Sequence, residues 1–410
     1  MTAPPRPDVL AVSSELPWPL NTGGHLRTFH LLRALARRCT VRLVTVVEGL
    51  DHPGFAVLRE HGVEVEPGLV PPRHPLREAL RAARAALRGE PYVMFHRHNR
   101  GALRGALARA VARRRPGVVY LDHLDPLALG SLLPAAPRVI DLHNVYSTLA
   151  GRVADERGGP VGLYLRREAR LLAAMERRAA TEADALFAVS AQEQAAFSAL
   201  GARAVHLVPN GVDVGAFAEH PTGRSHPEPA LLYLGALSWQ PNADAAVFLA
   251  RRVMPGVRAR HPKARLLLVG RQPGPEVKAL ATLPGVEVHP DVPAIGPYLD
   301  RASMLLVPLD AGGGTRLKIL EAFAAGLPVV STAVGAEGID GVDGVHLTLA
   351  ERDRFVDAVC AAIDDPAGCT ARAEAARILA RERYDWAVLG DRAADVVCAL
   401  AGSRTSPTRP

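Results

Sequence analysis

Residues 308–332, PLDAGGGTRLKILEAFAAGLPVVST, hold the densest concentration of groups able to do chemistry. Three glycines, Gly312, Gly313 and Gly314, follow the apolar run MLLVPL. Thr315 stands where an N-cap would precede the helix RLKILEAFAA, and Gly326 with Pro328 marks its stop. Arg316 and Lys318 fall in the first turn, where free amides and the helix dipole already make the field positive. Each cation there costs ~0.3–1 kcal/mol unless an anion answers it. A docked anion reverses the sign: glycines let it approach the backbone, amides point at it, and Arg and Lys add charge-assisted bonds. The pattern predicts a phosphate or diphosphate site. Glu321 stays close to it, either accepting hydroxyls such as those of a ribose or pairing with Lys318 at i,i+3.

Other phosphate devices are missing from the sequence. There is no GxxxxGK[ST], which disfavours a P-loop kinase or ATPase, and no GxGxxG follows a strand; GAEGIDG (335–341) is not that fingerprint. No Asp-x-Asp pair exists to hold a divalent ion on a diphosphate, so the cationic turn is expected to do that work with no metal and no cofactor.

The elements that must position these groups read as alternating short apolar runs and longer amphipathic stretches. VLAVS (9–13), VRLVTVV (41–47), GVVYL (117–121), RVIDL (138–142), ALFAVS (185–190) and AVHLVP (204–209) predict buried strands. After a Pro-rich break, EHPTGRSHPEP (219–229), the alternation resumes with ALLYLG (230–235), ARLLLVG, VEVHP (286–290), MLLVPL (304–309) and LPVVST (327–332). Strands apolar on both faces and separated by helices predict parallel sheets covered on both sides, so the fold class is α/β: two doubly wound Rossmann-like domains facing across a cleft. The expected boundaries are a first domain over 1–215, a linker over 216–229, a second domain over 230–385, a helix over 386–401 packing back on the first domain, and a disordered tail over 402–410.

Composition narrows the class further. Of 410 residues, 48% are hydrophobic and 22% charged, which excludes disordered and collagen-like chains. No run approaches the ~18 apolar residues of a membrane-spanning helix, and MTAPPRP lacks a secretory layout, so a soluble, cytoplasmic chain is expected. Cys39, Cys360, Cys369 and Cys398 form no CxxC pair, which reads as reduced thiols without zinc. The net charge of +7 is uneven: residues 73–115 hold twelve arginines against Glu78 and Glu90. Arg77, Arg81, Arg84 and Arg88 share one helical face and Leu76, Leu80, Ala83 and Leu87 another. That is the pattern of a solvated packed helix, or of one that meets an anionic membrane surface or acceptor. With 5% aromatics and none interleaved with these arginines, nucleic acid is not an expected partner.

The chain resembles glycosyltransferase family 4, of the two-domain architecture called GT-B. SWQPN (238–242) and GGGTRLKILEA (312–322) match the SxxPN and GGGTRLKxxEA motifs of bacterial sugar transferases, and VVSTAVGAEGI (329–339) is typical flanking text. NTGGHLRT (21–28) is similar to the family's first glycine loop, which implies that the amides of Gly23 and Gly24 approach the donor diphosphate and the acceptor; His25 and Arg27 lie nearby without a role. DLHNVYS (141–147) resembles the D-x-H-N-V segment, which implies that His143 contacts donor sugar and phosphate. VSAQE (189–193) and VPNGVD (208–213) resemble boundary motifs. The chain departs from the family where Gly313 replaces the first of two glutamates, and around Ala236 and Asn242, where an Arg and a Lys are usual. Backbone amides of residues 312–315 would substitute for the first; Arg316 and Lys318 would take over from the second. Trp239 and Asn242 are candidate substrate contacts, with a buried core indole the competing reading for Trp239.

The resemblance implies transfer of a sugar from a nucleotide-diphosphate sugar to an acceptor hydroxyl, retaining and metal-independent, in cell-surface glycan, glycolipid or natural-product biosynthesis. The first domain would hold the acceptor and the second the nucleotide, with the base after VEVHP and the ribose at Glu321. The rival readings are a sugar-nucleotide binding protein, or an epimerase or phosphorylase of the same architecture. Peripheral contact with an anionic membrane through the arginine helix remains a further expected partnership.

Overall fold

The computed structural model describes residues 6–72, 74–92, 101–220, 228–311 and 316–402. They form two compact units, Met1–Pro209 with Leu389–Pro410, and Asn210–Val388. The first contains a seven-stranded parallel sheet ordered β3-β2-β1-β4-β5-β6-β7. Its strands are β1 (Asp8–Val12), β2 (Thr40–Val47), β3 (Val63–Leu69), β4 (Val118–Asp122), β5 (Arg138–Leu142), β6 (Ala185–Ala188) and β7 (Val205–Leu207). The second contains a six-stranded sheet ordered β10-β9-β8-β11-β12-β13. There the strands are β8 (Ala230–Ala236), β9 (Arg265–Arg271), β10 (Val286–Pro290), β11 (Met304–Val307), β12 (Val329–Ser331) and β13 (Thr348–Leu349). Each sheet reverses its winding once, at β1–β4 and at β8–β11, and the carboxyl ends there are where a doubly wound sheet presents ligands. Val9, Leu10, Ala11 and Val12 of β1 and Leu231, Leu232 and Tyr233 of β8 are fully buried, as helices on both faces require.

Two strands escape the sequence pattern. β3 carries Glu64, Glu66 and Pro67, residues tolerated because it is an edge strand with one neighbour. β13 spans two residues and has no periodicity to read.

The second unit begins at Asn210 rather than beyond a linker starting at 216. Val212 bridges to Asp385, and its N–H donates to the Tyr384 carbonyl at 2.8 Å. Residues 216–220 are also fastened to this unit: the Arg377 guanidinium donates to the carbonyls of Phe217, Ala218 and His220 at 3.4, 2.9 and 3.1 Å. Residues 221–227 of the expected linker, and 403–410 of the expected tail, lie outside the described residues. The C-terminal helix Trp386–Gly402 leaves the second unit and joins the first from Leu389. Arg37 and Arg38 pair with Asp391 and Asp395 at 2.7 and 2.5 Å, and the Cys39 and Cys398 sulfurs stand 3.5 Å apart. A Cβ on Gly390 would fall 2.3 Å from the Ala34 methyl, so only glycine allows the helices this close.

The arginine helix runs Pro75–Arg88. An ordinary packed helix would bury its leucines; here Leu76, Leu80 and Leu87 are 75%, 72% and 90% exposed. Among the described residues no helix is long and apolar enough to cross a membrane.

Candidate functional site

In the first unit the helix Gly23–Arg38 starts directly in the loop after β1. Thr22 is its N-cap, its hydroxyl accepting from the His25 N–H at 3.2 Å. Gly23 and Gly24 therefore present helix-terminal amides with no side chain over them. A Cβ on Gly24 would meet His143 Nδ1 at 3.8 Å and His123 Nε2 at 3.9 Å, so two imidazole edges converge on this backbone.

His143 follows β5 and is buried. Its Nε2 lies 3.2 Å from Asp122 Oδ1 and 3.3 Å from Asp141 Oδ2, close enough for charge pairing though neither contact has hydrogen-bond alignment. Burial lowers the His143 pKa, but Asp141 and Asp122 outweigh burial and leave it raised. The result is an imidazole biased toward its charged form beside a helix N-terminus, where free amides can meet an anion.

His123, which the sequence reading did not single out, lies against it with ring centroids 3.6 Å apart and the rings tilted by 43°. Its backbone is left-handed, φ 71°, a conformation a β-carbon resists and that places the ring against His143 at the β4 terminus. Burial and the neighbouring His143 charge push its pKa down to about 4, so it is neutral near pH 7, with Nδ1 on the Tyr146 hydroxyl at 2.8 Å. The available signal was its position: a histidine at the carboxyl end of a strand beside the winding reversal.

Beneath these rings lies a fully buried ion pair. Arg27 donates from Nε and Nη2 to both Asp141 oxygens, at 2.9 Å to Oδ2 and 2.5 Å to Oδ1, and from Nη1 to the Val208 carbonyl at 2.7 Å. The Tyr120 hydroxyl donates to Asp141 Oδ2 at 2.8 Å. Burial would raise the Asp141 pKa, but Arg27 and His143 hold it far below the usual carboxylate range. Arg27 thus fixes the helix Gly23–Arg38 to β5 and, through Asp141, orients His143.

The ligand atoms of Asp122, His123 and His143 lie within 4.8 Å of one another, a donor set of the type that holds zinc. Within this group His143 Nε2 faces the carboxylates of Asp122 and Asp141, and His123 Nδ1 lies on the Tyr146 hydroxyl.

In the second unit the helix carrying the basic turn is Leu317–Ala324, with Arg316 in the N-cap position. This corrects the expectation for Thr315; Gly312, Gly313, Gly314 and Thr315 themselves lie outside the described residues. Arg316 is buried, its Nη2 donating to the Val334 carbonyl at 3.2 Å and standing 3.8 Å from Glu337. Lys318 reaches the carboxyl end of β8: its ammonium donates to Asn242 Oδ1 at 3.0 Å and Tyr233 Oη at 3.4 Å, and lies 4.4 Å from the Tyr233 ring centre. Burial, then the Arg316 charge, pushes its pKa down to about 7. Glu321 acts against that lowering, and its own carboxyl is pushed up by burial to about 7.

Two candidate contacts change character. Asn242 is buried and engaged: Oδ1 accepts from Lys318 and from the Tyr233 hydroxyl at 2.8 Å, and Nδ2 donates to the Ala236 carbonyl at 3.0 Å. It holds the Lys318 ammonium in place. Trp239 is 44% exposed at the start of the helix Gln240–Phe248, which removes the core reading.

The family model described as Glycosyltransferase Family 4 matches residues 22–216, and that described as Glycosyl transferases group 1 matches residues 228–365. A phosphatidyl-myo-inositol mannosyltransferase of Mycolicibacterium smegmatis is 30% identical over 217 residues, 50% of this chain and 54% of that protein, so the match spans about half the relative's length. Among solved structures, a sucrose-phosphate synthase of Thermosynechococcus elongatus aligns over 97% of this chain and 100% of its own at TM-score 0.67 and 17% identity. Anabaena HepE, crystallised with UDP-glucose, aligns over 95% of this chain and 99% of its own at TM-score 0.63 and 17% identity. The fold shared with these structures is the pair of doubly wound parallel α/β domains of the GT-B class.

Proposed function

We propose that this chain, which matches a family 4 glycosyltransferase domain in its first half and a group 1 glycosyltransferase domain in its second, moves a sugar from a nucleotide-diphosphate donor to an acceptor hydroxyl. One observation carries the reading: two cationic side chains, Arg316 and Lys318, are drawn out of water at the start of one helix, with carboxylate compensation weak enough that Lys318 drops to about 7. A cation pair with one member buried and the other half-buried is unfavourable alone and becomes favourable with a diphosphate beside it. The reacting bond runs from the anomeric carbon to the diphosphate oxygen; as it breaks, negative charge grows on that oxygen, and Arg316, Lys318 and the helix amides stabilise it. Glu321 accepts from the ribose hydroxyls. In the first unit, the amides of Gly23 and Gly24 and the His143 imidazole are the proposed substrate contacts. The complexes of HepE with UDP-glucose support a nucleotide sugar as the donor class.

The reaction is proposed to retain the anomeric configuration and to need no metal, since the cations fill a metal's electrostatic role. The test is release of nucleoside diphosphate over a panel of donors and acceptors, with and without a chelator. Release that depends on acceptor and persists in chelator, with an anomerically retained product, is expected. Loss of turnover in chelator points to a metal; release without acceptor, or consumption of inorganic phosphate, points to an epimerase or phosphorylase; donor binding with no turnover leaves a binding protein.

The uncovered leucines of the helix Pro75–Arg88, flanked by Arg77, Arg81, Arg84 and Arg88, support peripheral contact with an anionic membrane, and hence work at the inner face of the cell membrane. Vesicles of phosphatidylglycerol should co-sediment the full chain in a salt-sensitive manner while phosphatidylcholine vesicles do not. Equal recovery with both lipids contradicts this partnership.

A further inference from the structure

Two of the four cysteines, far apart in the chain, meet in the fold. Cys39 caps the end of the helix Gly23–Arg38, its N–H donating to the Leu35 carbonyl at 2.8 Å, and is buried. Cys398 lies in the helix Trp386–Gly402 and is half-buried. The two sulfurs stand 3.5 Å apart across a sequence separation of 359 residues. Packing fixes the helices that carry them: Leu389, Ala393, Ala394 and Val397 are buried, and Gly390 lies against Ala34. A disulfide needs ~2.0 Å between sulfurs, and side-chain rotation can cover the difference.

A thiol wholly enclosed by apolar side chains is an inert packing group, whereas reactive cysteines are partly open and have cations nearby. This pair is of the second kind. Cys398 is reached by solvent, and the Arg38 and Arg6 charges act on the sulfur of Cys39 in the sense that favours a thiolate. Burial, and then the contact with Cys398, outweigh them and push the Cys39 pKa up to about 12. Cys398 is therefore the attacking thiol and Cys39 the resolving one. We propose that Cys39 and Cys398 form a reversible oxidation site, at which a low-molecular-weight disulfide of the glutathione type converts the two thiols into an intramolecular disulfide. Cys398, as its thiolate, attacks one sulfur of the reagent and displaces the first small thiol. Cys39 gives its proton to water and attacks the Cys398 sulfur, displacing the second. The cysteine pair loses two electrons and the reagent gains two. The bond fastens the last helix to the helix Gly23–Arg38, and any reducing thiol in excess reverses it. None of this depends on the transferase reading.

The test is incubation of the full chain with oxidised glutathione, followed by unfolding in urea and alkylation of the remaining thiols. The wild type should lose two of its four thiols, with the Cys39 and Cys398 peptides joined and Cys360 and Cys369 alkylated. Its thermal midpoint should rise by at least ~2 °C and fall back in dithiothreitol, because closing so long a loop restricts the unfolded chain. Cys398→Ser should keep its remaining thiols and show no rise. Cys39→Ser should instead stop at the first step, with one glutathione held on Cys398; should it fail to fold, Cys39→Ala serves. Four alkylated thiols in the treated wild type, a lasting glutathione adduct on its Cys398, or a bond between two chains overturns the proposal. So does an internal bond that leaves the thermal midpoint unmoved, or a Cys39→Ser chain that takes up no glutathione.

Discussion

Alanine at Lys318 or at Arg316 lowers the rate of sugar transfer at least ~100-fold, the usual size for removing a preorganised charge stabiliser, with the far-ultraviolet circular dichroism unchanged. Two features support so large an effect. Both cations are pre-positioned, Lys318 by Asn242 and the Tyr233 hydroxyl and Arg316 by the Val334 carbonyl, so no ordering cost falls due as charge develops. Both are also desolvated, which strengthens every interaction with a departing diphosphate. The same desolvation gives a separate readout. Burial first, and Arg316 second, hold the Lys318 pKa down to about 7, so above that pH the free protein carries a largely neutral amine. A bound diphosphate restores the ammonium, so donor binding takes up a proton and weakens as pH rises past 7. Calorimetry in buffers of different ionisation enthalpy measures that uptake; Glu321→Gln should retain the Lys318 share and Lys318→Ala should lose it. Wild-type rates in both single alanine variants contradict the assigned roles.

Arg27→Met is expected to destabilise the first unit by about 3–5 kcal/mol, because it strands the fully buried Asp141 carboxylate. The wild-type pair has the depressed-acid sign: its stabilisation is present above the unfolded carboxylate pKa and is lost as pH falls through the much lower folded value. In Arg27→Met the main lowering charge is gone, so the deficit seen in urea unfolding should be largest near pH 7 and narrow toward pH ~4, where the stranded carboxyl can protonate. Arg27→Met/Asp141→Leu should recover much of the stability, since removing both partners of a buried pair is far milder than removing one. It should not recover activity, because His143 would lose one of the two carboxylates that raise its pKa. A deficit under ~1 kcal/mol in the single variant would show the pair to be exposed in solution.

Much of this architecture is written in local pattern. Runs such as VRLVTVV and ARLLLVG are apolar on both faces because helices cover both sides of their sheets, so parallel topology could be read without any contact being known. Pattern fails where the chain is neither buried nor periodic: β3 tolerates Glu64, Glu66 and Pro67 at an edge, and β13 is too short to repeat. The sites are less legible because their partners are distant in sequence. Ser14 meets Asp125 111 residues away, Lys318 meets Asn242 76 residues away, and Arg27 meets Asp141 114 residues away. Residue type alone could not show that Asn242 is consumed in holding Lys318 at the end of β8. Nor could it show that Trp239 faces solvent or that the His123 and His143 rings meet. A strained histidine backbone leaves no mark in composition.

The central claim is that Arg316 and Lys318 form the seat of a donor's diphosphate, and the most direct measurement is a crystal structure of the full chain soaked with whichever nucleoside diphosphate sugar gives the largest thermal shift. The pyrophosphate oxygens should lie within hydrogen-bonding distance of the Arg316 guanidinium and the Lys318 ammonium. A donor bound with its pyrophosphate away from both side chains would contradict the account.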